Sequence, residues 1–249
     1  MREIEPQTML ERIRPQRRCY FSEYVDLVRP EEIKIRAIKC YANEDATCHA
    51  VTWKYPTWNV VNFIGDDNAF ITEVLRQYEK TDGSFVLRSG EPLLGVHIRG
   101  LKMDCLYENF AGEGPMPQAP IDTRIRLLAK EDFDLVRPIM QEPEAVREKL
   151  SVLAWLENGV ATGYISYGVF EDVEDSWDVS LIFVAPEQRG QGIGTKLAYA
   201  YLKTMREQGE IPYYSGVSNP HSARAARGAG FQLCCTRHSF HYKRPKFKP

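Results

Sequence analysis

The pattern of apolar and polar residues is clearest in the second half of the chain. The run DVSLIFVAP, which ends at Pro186, is mostly apolar and predicts a buried strand. Apolar residues then recur every four positions, at Ile193, Leu197, Tyr201 and Met205, which predicts a helix with one buried face. The residues between these two elements therefore form a strand-to-helix loop.

Shorter elements surround this strand and helix. TRIRLL (123–128) predicts a strand, KEDFDLVRPIM predicts a helix interrupted at Pro138, and two strand-like runs flank Asn158-Gly159, a dipeptide typical of hairpin turns. Further on, IPYYSGVS predicts a strand, NPHSARAARGAG a helix beginning at Asn219, and FQLCCTRHSFHY a last strand. The order indicates an α/β (α+β) fold with a mixed, mostly antiparallel sheet flanked by helices.

The first half carries an α/β pattern without visible chemistry. WNVVNFIG (58–65) predicts a buried strand, and NAFITEVLRQYEK predicts a helix with Asn68 as its N-cap. The segment AGEGPMPQAP (111–120) holds two glycines and three prolines, a composition typical of a linker. We therefore predict an N-terminal domain over 1–110, a linker over 111–120 and a second domain over 121–249. The alternative is a long loop inside one domain.

The composition of the chain limits the kinds of binding partner that we expect. The chain has 249 residues, a net charge of −2 and a pI near 6.3, so its bulk charge favours neither nucleic acid nor an anionic membrane. The basic tail from Tyr242 is short, and we interpret it as a solvated terminus. The six cysteines include no C-x-x-C pair, which favours reduced thiols in a cytoplasmic protein without a metal site.

The loop before the second-half helix has glycine at three alternate positions, Gly190, Gly192 and Gly194. A dinucleotide-binding loop would need glycine at Thr195, and a Walker loop would need lysine there, so neither motif fits. Glycines at a helix N-terminus remove Cβ atoms that would hold an anion away from the backbone N–H groups. A glycine-rich turn with only a packing role is the alternative, but Arg189 and the helix that follows directly argue against it.

Two motifs in this half resemble those of the GNAT superfamily of acyl-CoA-dependent N-acetyltransferases. The family's pyrophosphate loop, [QR]-x-x-G-x-[GA], is matched by Arg189, Gly192 and Gly194. Its second motif, an asparagine that opens the next helix and a Gly-Phe pair that closes it, is matched by Asn219 and Gly230-Phe231. The resemblance covers about 121–241, half of the chain.

The resemblance implies acetyl-CoA as the acyl donor and a primary amine, on a small molecule or a protein, as the acceptor. It implies that two parallel strands splay apart to admit the pantetheine arm, and that the loop binds the pyrophosphate. The residues expected to bind acetyl-CoA are Phe183, Val184, Arg189, Gly190, Gln191, Gly192, Ile193, Gly194, Asn219 and Ser222.

The resemblance also suggests catalytic residues for direct attack of the amine on the thioester. Asp178 stands where many family members carry a glutamate base, although a solvated strand-end carboxylate is an equal alternative. The family's tyrosine acid is replaced by Ala226, so Tyr214 is the candidate substitute, with core packing as its alternative role.

The alternative function, the role of the N-terminal domain and the oligomeric state stay open. A non-catalytic acyl-CoA-binding or sensing protein is the alternative function, because Ala226 cannot donate a proton. The N-terminal domain is expected to shape the acceptor site, and its element order is compatible with a degenerate copy of the same fold. The expected oligomeric state is a monomer or a homodimer.

Overall fold

The computed structural model describes residues 1–54, 59–81, 84–89, 96, 98–115, 118–141, 150–169, 173 and 177–243. The chain divides into two compact units. The first unit comprises Met1–Tyr107 and Cys235–Pro249, and the second comprises Glu108–Cys234.

The first unit is a sheet with helices on its faces. Its strands are β1 (Arg2–Ile4), β2 (Lys39–Ala42), β3 (His49–Lys54), β4 (Asn59–Ile64) and β5 (Ser84–Ser89), and its helices are α1 (Pro6–Ile13), α2 (Phe21–Val28), α3 (Pro30–Ile35) and α4 (Asn68–Thr81). Strands β1 to β4 pair antiparallel in sequence order, and β5 joins β4 in parallel.

Helices cover both faces of β4. Val61 and Phe63 pack in one apolar cluster with residues of α4, and Val60 packs in another with residues of α1. A strand buried on both faces has a nearly continuous apolar sequence, which is why this run was predicted correctly from Asn59 onwards. Trp58, the first residue of the predicted run, lies outside the described residues.

The N-cap of α4 is Asp67 and not the predicted Asn68. Asp67 Oδ1 accepts hydrogen bonds from the backbone N–H groups of Ala69 and Phe70, both at 3.0 Å. These bonds, led by that from Phe70, lower the pKa of the Asp67 carboxyl. The first turn of α4 is therefore occupied by a carboxylate of the chain itself.

The second unit has the same kind of architecture. Its strands are the end of β6 (Leu101–Ala111), β7 (Ile125–Leu127), β8 (Ser151–Glu157), β9 (Val160–Gly168), β10 (Asp178–Val184) and β11 (Tyr213–Val217), and its helices are α5 (Ile193–Glu207) and α6 (Pro220–Ala229). The strand order is β6-β11-β10-β9-β8-β7, with β10 and β11 parallel and the other pairs antiparallel. The predicted hairpin joins β8 to β9, with Asn158 and Gly159 both at positive φ.

The predicted helix after β7 is instead two 3-10 segments, Lys130–Leu135 and Arg137–Ile139. Pro138 supplies no N–H group, so a continuous helix would lose a hydrogen bond there. Phe133 and Ile139 still pack on the sheet, in a cluster with Val152. The apolar pattern therefore predicted the buried face correctly and the type of helix incorrectly.

The division into units differs from the predicted domain boundaries. The segment 111–120 lies inside the second unit: Gly112 N donates to Pro212 O at 2.8 Å, and Ala119 O accepts from Lys203 Nζ at 2.8 Å. The last strand, β12 (Gln232–Lys243), enters the first unit at Cys235 and pairs antiparallel with β5. Composition reveals glycine and proline content but not the partner of a strand, so it could not show that the end of the chain returns to the first unit.

The two units share one order of elements. In each, a first strand is followed by helical segments, three antiparallel strands, a helix and a strand parallel to the third of these. This order supports the interpretation of the first unit as a degenerate copy. Where the second unit has its glycine loop, the first has Gly65, Asp66 and the capping Asp67.

Candidate functional site

A gap opens between two parallel strands of the second unit. Strands β10 and β11 pair only at Asp178 and Tyr213, and both are described over their whole lengths. The register of β10 against β9 shifts between Val179 and Leu181, a bulge that increases the local twist. Beyond it β10 stays paired with β9 but not with β11. The predicted splaying of these strands is thus present.

A cleft of about 560 Å³ lies at this end of the sheet. It contains nine of the ten residues expected to bind the donor, the exception being Gln191. Gln191 is exposed, and its Nε2 donates to Gln188 Oε1 at 2.8 Å. The lining residues are Ile182, Phe183, Val184, Gln188, Arg189, Gly190, Gly192, Ile193, Gly194, Thr195, Asn219, His221, Ser222, Arg224 and Ala225.

The three loop glycines do not play the same role. Gly190 and Gly192 have φ of 81° and 78°, and a Cβ added to either would meet nothing within 4 Å. Their backbone conformation therefore requires glycine. The φ of Gly194 does not lie in the left-handed region, and a Cβ added to it would touch the side chains of Ile182 and Ala225 at 3.8 Å. A Cβ at Gly194 would therefore lie against packed side chains, whereas a Cβ at Gly190 or Gly192 would lie in open space.

The N-terminus of α5 has unsatisfied backbone donors. Gly192 is its N-cap and offers no side chain, and the first intrahelical bond runs from Lys196 N to Gly192 O at 3.0 Å. The N–H groups of the first turn consequently have no helical acceptor. They lie at the positive end of the dipole of a helix 15 residues long, which favours an anion. In α4 of the first unit, Asp67 occupies the equivalent position.

Two arginines add positive charge to the cleft. Arg189 is held at the mouth of the loop because its Nε donates to the Val184 carbonyl at 3.0 Å. Arg224 lies on α6, the helix that Asn219 caps by accepting from His221 N at 2.8 Å. Sequence reasoning missed Arg224, although its spacing from Asn219 places it about one turn into the same helix.

Asp178 is partly buried where β10 and β11 are still paired. Its Oδ1 accepts from Val179 N at 2.9 Å and Ser215 N at 3.0 Å, and its Oδ2 accepts from the Ser215 hydroxyl. Burial outweighs these bonds and raises the pKa of Asp178 to about 6. The carboxyl is therefore ionised at neutral pH yet basic enough to accept a proton. It does not line the phosphate end of the cleft.

Tyr214 lies in the core of the second unit. It is 4% exposed, and its ring packs edge-on against Phe231 with centroids 5.9 Å apart. Burial raises the pKa of Tyr214 to about 12, so the phenol keeps its proton. Ser222, which lines the cleft, lies near this hydroxyl and lowers its pKa slightly against the effect of burial. No described residue forms a hydrogen bond of ordinary geometry with the hydroxyl. Ala226 is fully buried.

Comparisons with known proteins agree with this geometry. Residues 121–231 match the family model described as Acetyltransferase (GNAT) family. An acetyltransferase of the GNAT family from Colwellia psychrerythraea superposes with a TM-score of 0.55 at 14% identity, over 97% of this chain and 99% of that one. A GCN5-related N-acetyltransferase from Sphaerobacter thermophilus gives a TM-score of 0.54 at 12% identity, over 85% and 82%. No curated protein matches the sequence.

Residues 121–231 are therefore similar to the GNAT acetyltransferase family, and the structural neighbours show that the fold is that of GNAT acetyltransferases. Within the described part of the chain, no helix combines the length and apolar character needed to cross a membrane. The described residues also contain no cluster of three or more His, Cys, Asp or Glu side chains placed to hold a metal ion.

Proposed function

We propose that this protein transfers an acetyl group from acetyl-CoA to a primary amine, on a small molecule or a protein, by direct attack. The observation that carries the proposal is the uncapped N-terminus of α5, which opens into the same cleft as the splayed ends of β10 and β11. The family match supports acyl transfer in general, whereas the acetyl donor and the amine acceptor are specific to the proposal.

The residues of the cleft fit a CoA ligand. First-turn N–H groups of α5 would bind the pyrophosphate, and Arg189 and Arg224 would balance its charge. The gap between β10 and β11 would take the extended pantetheine arm. Asp178 lies six residues before Val184, about 20 Å along the strand at about 3.3 Å per residue, so the thioester would lie towards Asp178.

The chemistry needs a base. As the amine nitrogen bonds to the acetyl carbon and the carbon–sulfur bond breaks, the amine must lose a proton. Asp178 is the proposed acceptor of that proton, directly or through one water. Its bonds to Ser215 and Val179 hold the carboxylate in place while burial keeps it basic.

The departing thiolate must be neutralised. Tyr214 is the proposed donor because its pKa of about 12 keeps it protonated at neutral pH. Its buried hydroxyl would reach the cleft through Ser222. The same burial, together with Ala226, favours the second candidate function, an acyl-CoA-binding protein without turnover.

Calorimetric titration with acetyl-CoA tests the donor site. A Gly192→Asp variant would place a carboxylate at the N-cap of α5, as Asp67 does in α4, and should abolish binding without unfolding the helix. Gly192→Asn is the matched control: it has the same shape and can also cap the helix, but it carries no charge, so it should weaken binding less than Gly192→Asp does. Absence of binding by the unmodified protein would refute the proposal.

A panel of amines then separates the two candidate functions. Release of the CoA thiol in the presence of an amine, together with acetylation of that amine by mass spectrometry, would support the transferase. Tight binding of acetyl-CoA without release for any class of primary amine, including protein lysines and N-termini, would favour the sensor.

A further inference from the structure

Two cysteines far apart in sequence meet in the first unit. Cys19 follows the short 3-10 segment Arg14–Gln16, and Cys235 lies on β12. The Cys235 thiol donates to the Cys19 carbonyl oxygen at 3.7 Å, and the Cys235 side chain also acts on the Cys19 thiol. Cys19 is partly exposed.

The surroundings of Cys19 favour its thiolate. The hydrogen bond from Cys235, and next the positive charges of Arg237 and Arg18, lower the pKa of Cys19 to about 7 in spite of partial burial and the nearby Glu23. The core cysteines behave in the opposite way. Burial raises the pKa of Cys40 to about 12.

We propose that Cys19 is a peroxide-reactive thiol and that Cys235 resolves its oxidised form into a Cys19–Cys235 disulfide. The inference rests on the juxtaposition of a partly exposed cysteine, a second thiol bonded to its carbonyl oxygen and two arginines whose positive charges act on it. Accessible thiolates with a neighbouring resolving cysteine are the usual form of redox-responsive sites. The proposed reaction of Cys19 and Cys235 is independent of the acyl-transfer proposal, which uses neither cysteine.

The reaction balances with hydrogen peroxide as the oxidant. The Cys19 thiolate attacks one peroxide oxygen; a sulfur–oxygen bond forms, the oxygen–oxygen bond breaks and hydroxide leaves to become water. Cys19 is now a sulfenic acid, oxidised by two electrons. The Cys235 sulfur then attacks the Cys19 sulfur, the sulfur–sulfur bond forms, and the hydroxyl group leaves as a second water.

Peptide mapping of the full chain after limited peroxide treatment tests the pairing. Trypsin releases Cys235 on a peptide that also contains Cys234, so the mapping uses a Cys234→Ser variant. We expect the Cys19 peptide to become linked to the Cys235 peptide in this variant, and the link to be absent from Cys19→Ser and Cys235→Ser. A link that depends on Cys234, or no link to Cys19 at all, would overturn the proposal.

A second measurement detects the sulfenic acid of Cys19 directly, without requiring that the disulfide forms. In the Cys235→Ser variant the sulfenic acid cannot be resolved, so a dimedone adduct should accumulate on Cys19 and not on Cys40. Unmodified protein should give little adduct under the same conditions. Equal adduct on Cys19 with and without Cys235 would show that Cys235 is not the resolving thiol, and would refute this role.

Discussion

Replacement of Asp178 by asparagine separates the stability of the domain from its chemistry. The amide has the same shape, its oxygen can accept from Ser215 N and Val179 N, and the Ser215 hydroxyl can turn to accept from its NH₂ group. The variant therefore keeps the connection between β10 and β11. It loses only the negative charge and the ability to accept a proton.

The effect on stability follows from the raised pKa. The folded protein holds the Asp178 proton up to a pH of about 6, whereas the unfolded chain releases it near 3.8. Between these values the folded state binds more protons, so the free energy of unfolding falls as the pH rises. Across this whole pH window the free energy of unfolding falls by roughly 3 kcal/mol, which is an upper value for this group. Above pH 6 the penalty of the buried charge is fully present.

Urea unfolding of both proteins at pH 5 and pH 8 checks this magnitude. Relative to the unmodified protein, Asp178→Asn should be more stable at pH 8 than at pH 5 by about 1–1.5 kcal/mol, because only about one pH unit of the window lies above pH 5. Its kcat at pH 8 should fall by about 10²–10⁴ while acetyl-CoA affinity is retained. The unmodified rate should rise with pH through about 6. Equal relative stability at the two pH values, with unchanged kcat, would refute the reasoning.

Three further predictions concern single residues. Gly194→Ala should bind acetyl-CoA with an affinity within a few-fold of that of the unmodified protein, measured by calorimetry. Gly192→Ala should lower the free energy of unfolding by about 1–2 kcal/mol because of its positive φ, and should bind more weakly. Equal behaviour of the two variants would contradict the roles assigned to these glycines. Asp67→Ala should lower the free energy of unfolding by about 1 kcal/mol in urea, and Asp67→Asn by less, since asparagine still caps. Tyr214→Phe should reduce kcat without weakening acetyl-CoA binding, and an unchanged kcat would leave this phenol with a packing role only.

The local elements of the candidate site could be predicted from sequence. Strand β10, the glycine loop and helix α5 are adjacent in the chain, so periodicity and glycine spacing report on them directly. The same holds for the hairpin at Asn158-Gly159, since both residue types favour the positive φ that the turn has. Nine of the ten expected cofactor-binding residues line one cleft because the motif keeps them near each other along two strand-to-helix junctions.

The environments of individual side chains required the tertiary structure. The pKa of Asp178 is raised because the fold buries its carboxyl, and the hydrogen bonds from Ser215, on a strand far along the chain, oppose that rise. Tyr214 was a candidate acid by position, but the packing of Phe231 against it determined its burial. Arg224 joins the cleft through the orientation of α6, which helix spacing suggests but does not establish.

By itself, the sequence determined the types of most elements, the loop that favours an anion, and the resemblance of 121–231 to the GNAT family, because each depends on residues close together along the chain. Only the tertiary structure decided that β12 leaves the second unit at Cys235 to pair with β5, and that Cys235 meets Cys19 across a sequence separation of 216 residues. Strand pairing and side-chain contacts over such separations are selected by the burial of whole faces and by backbone hydrogen bonding. No local pattern of residues records that choice.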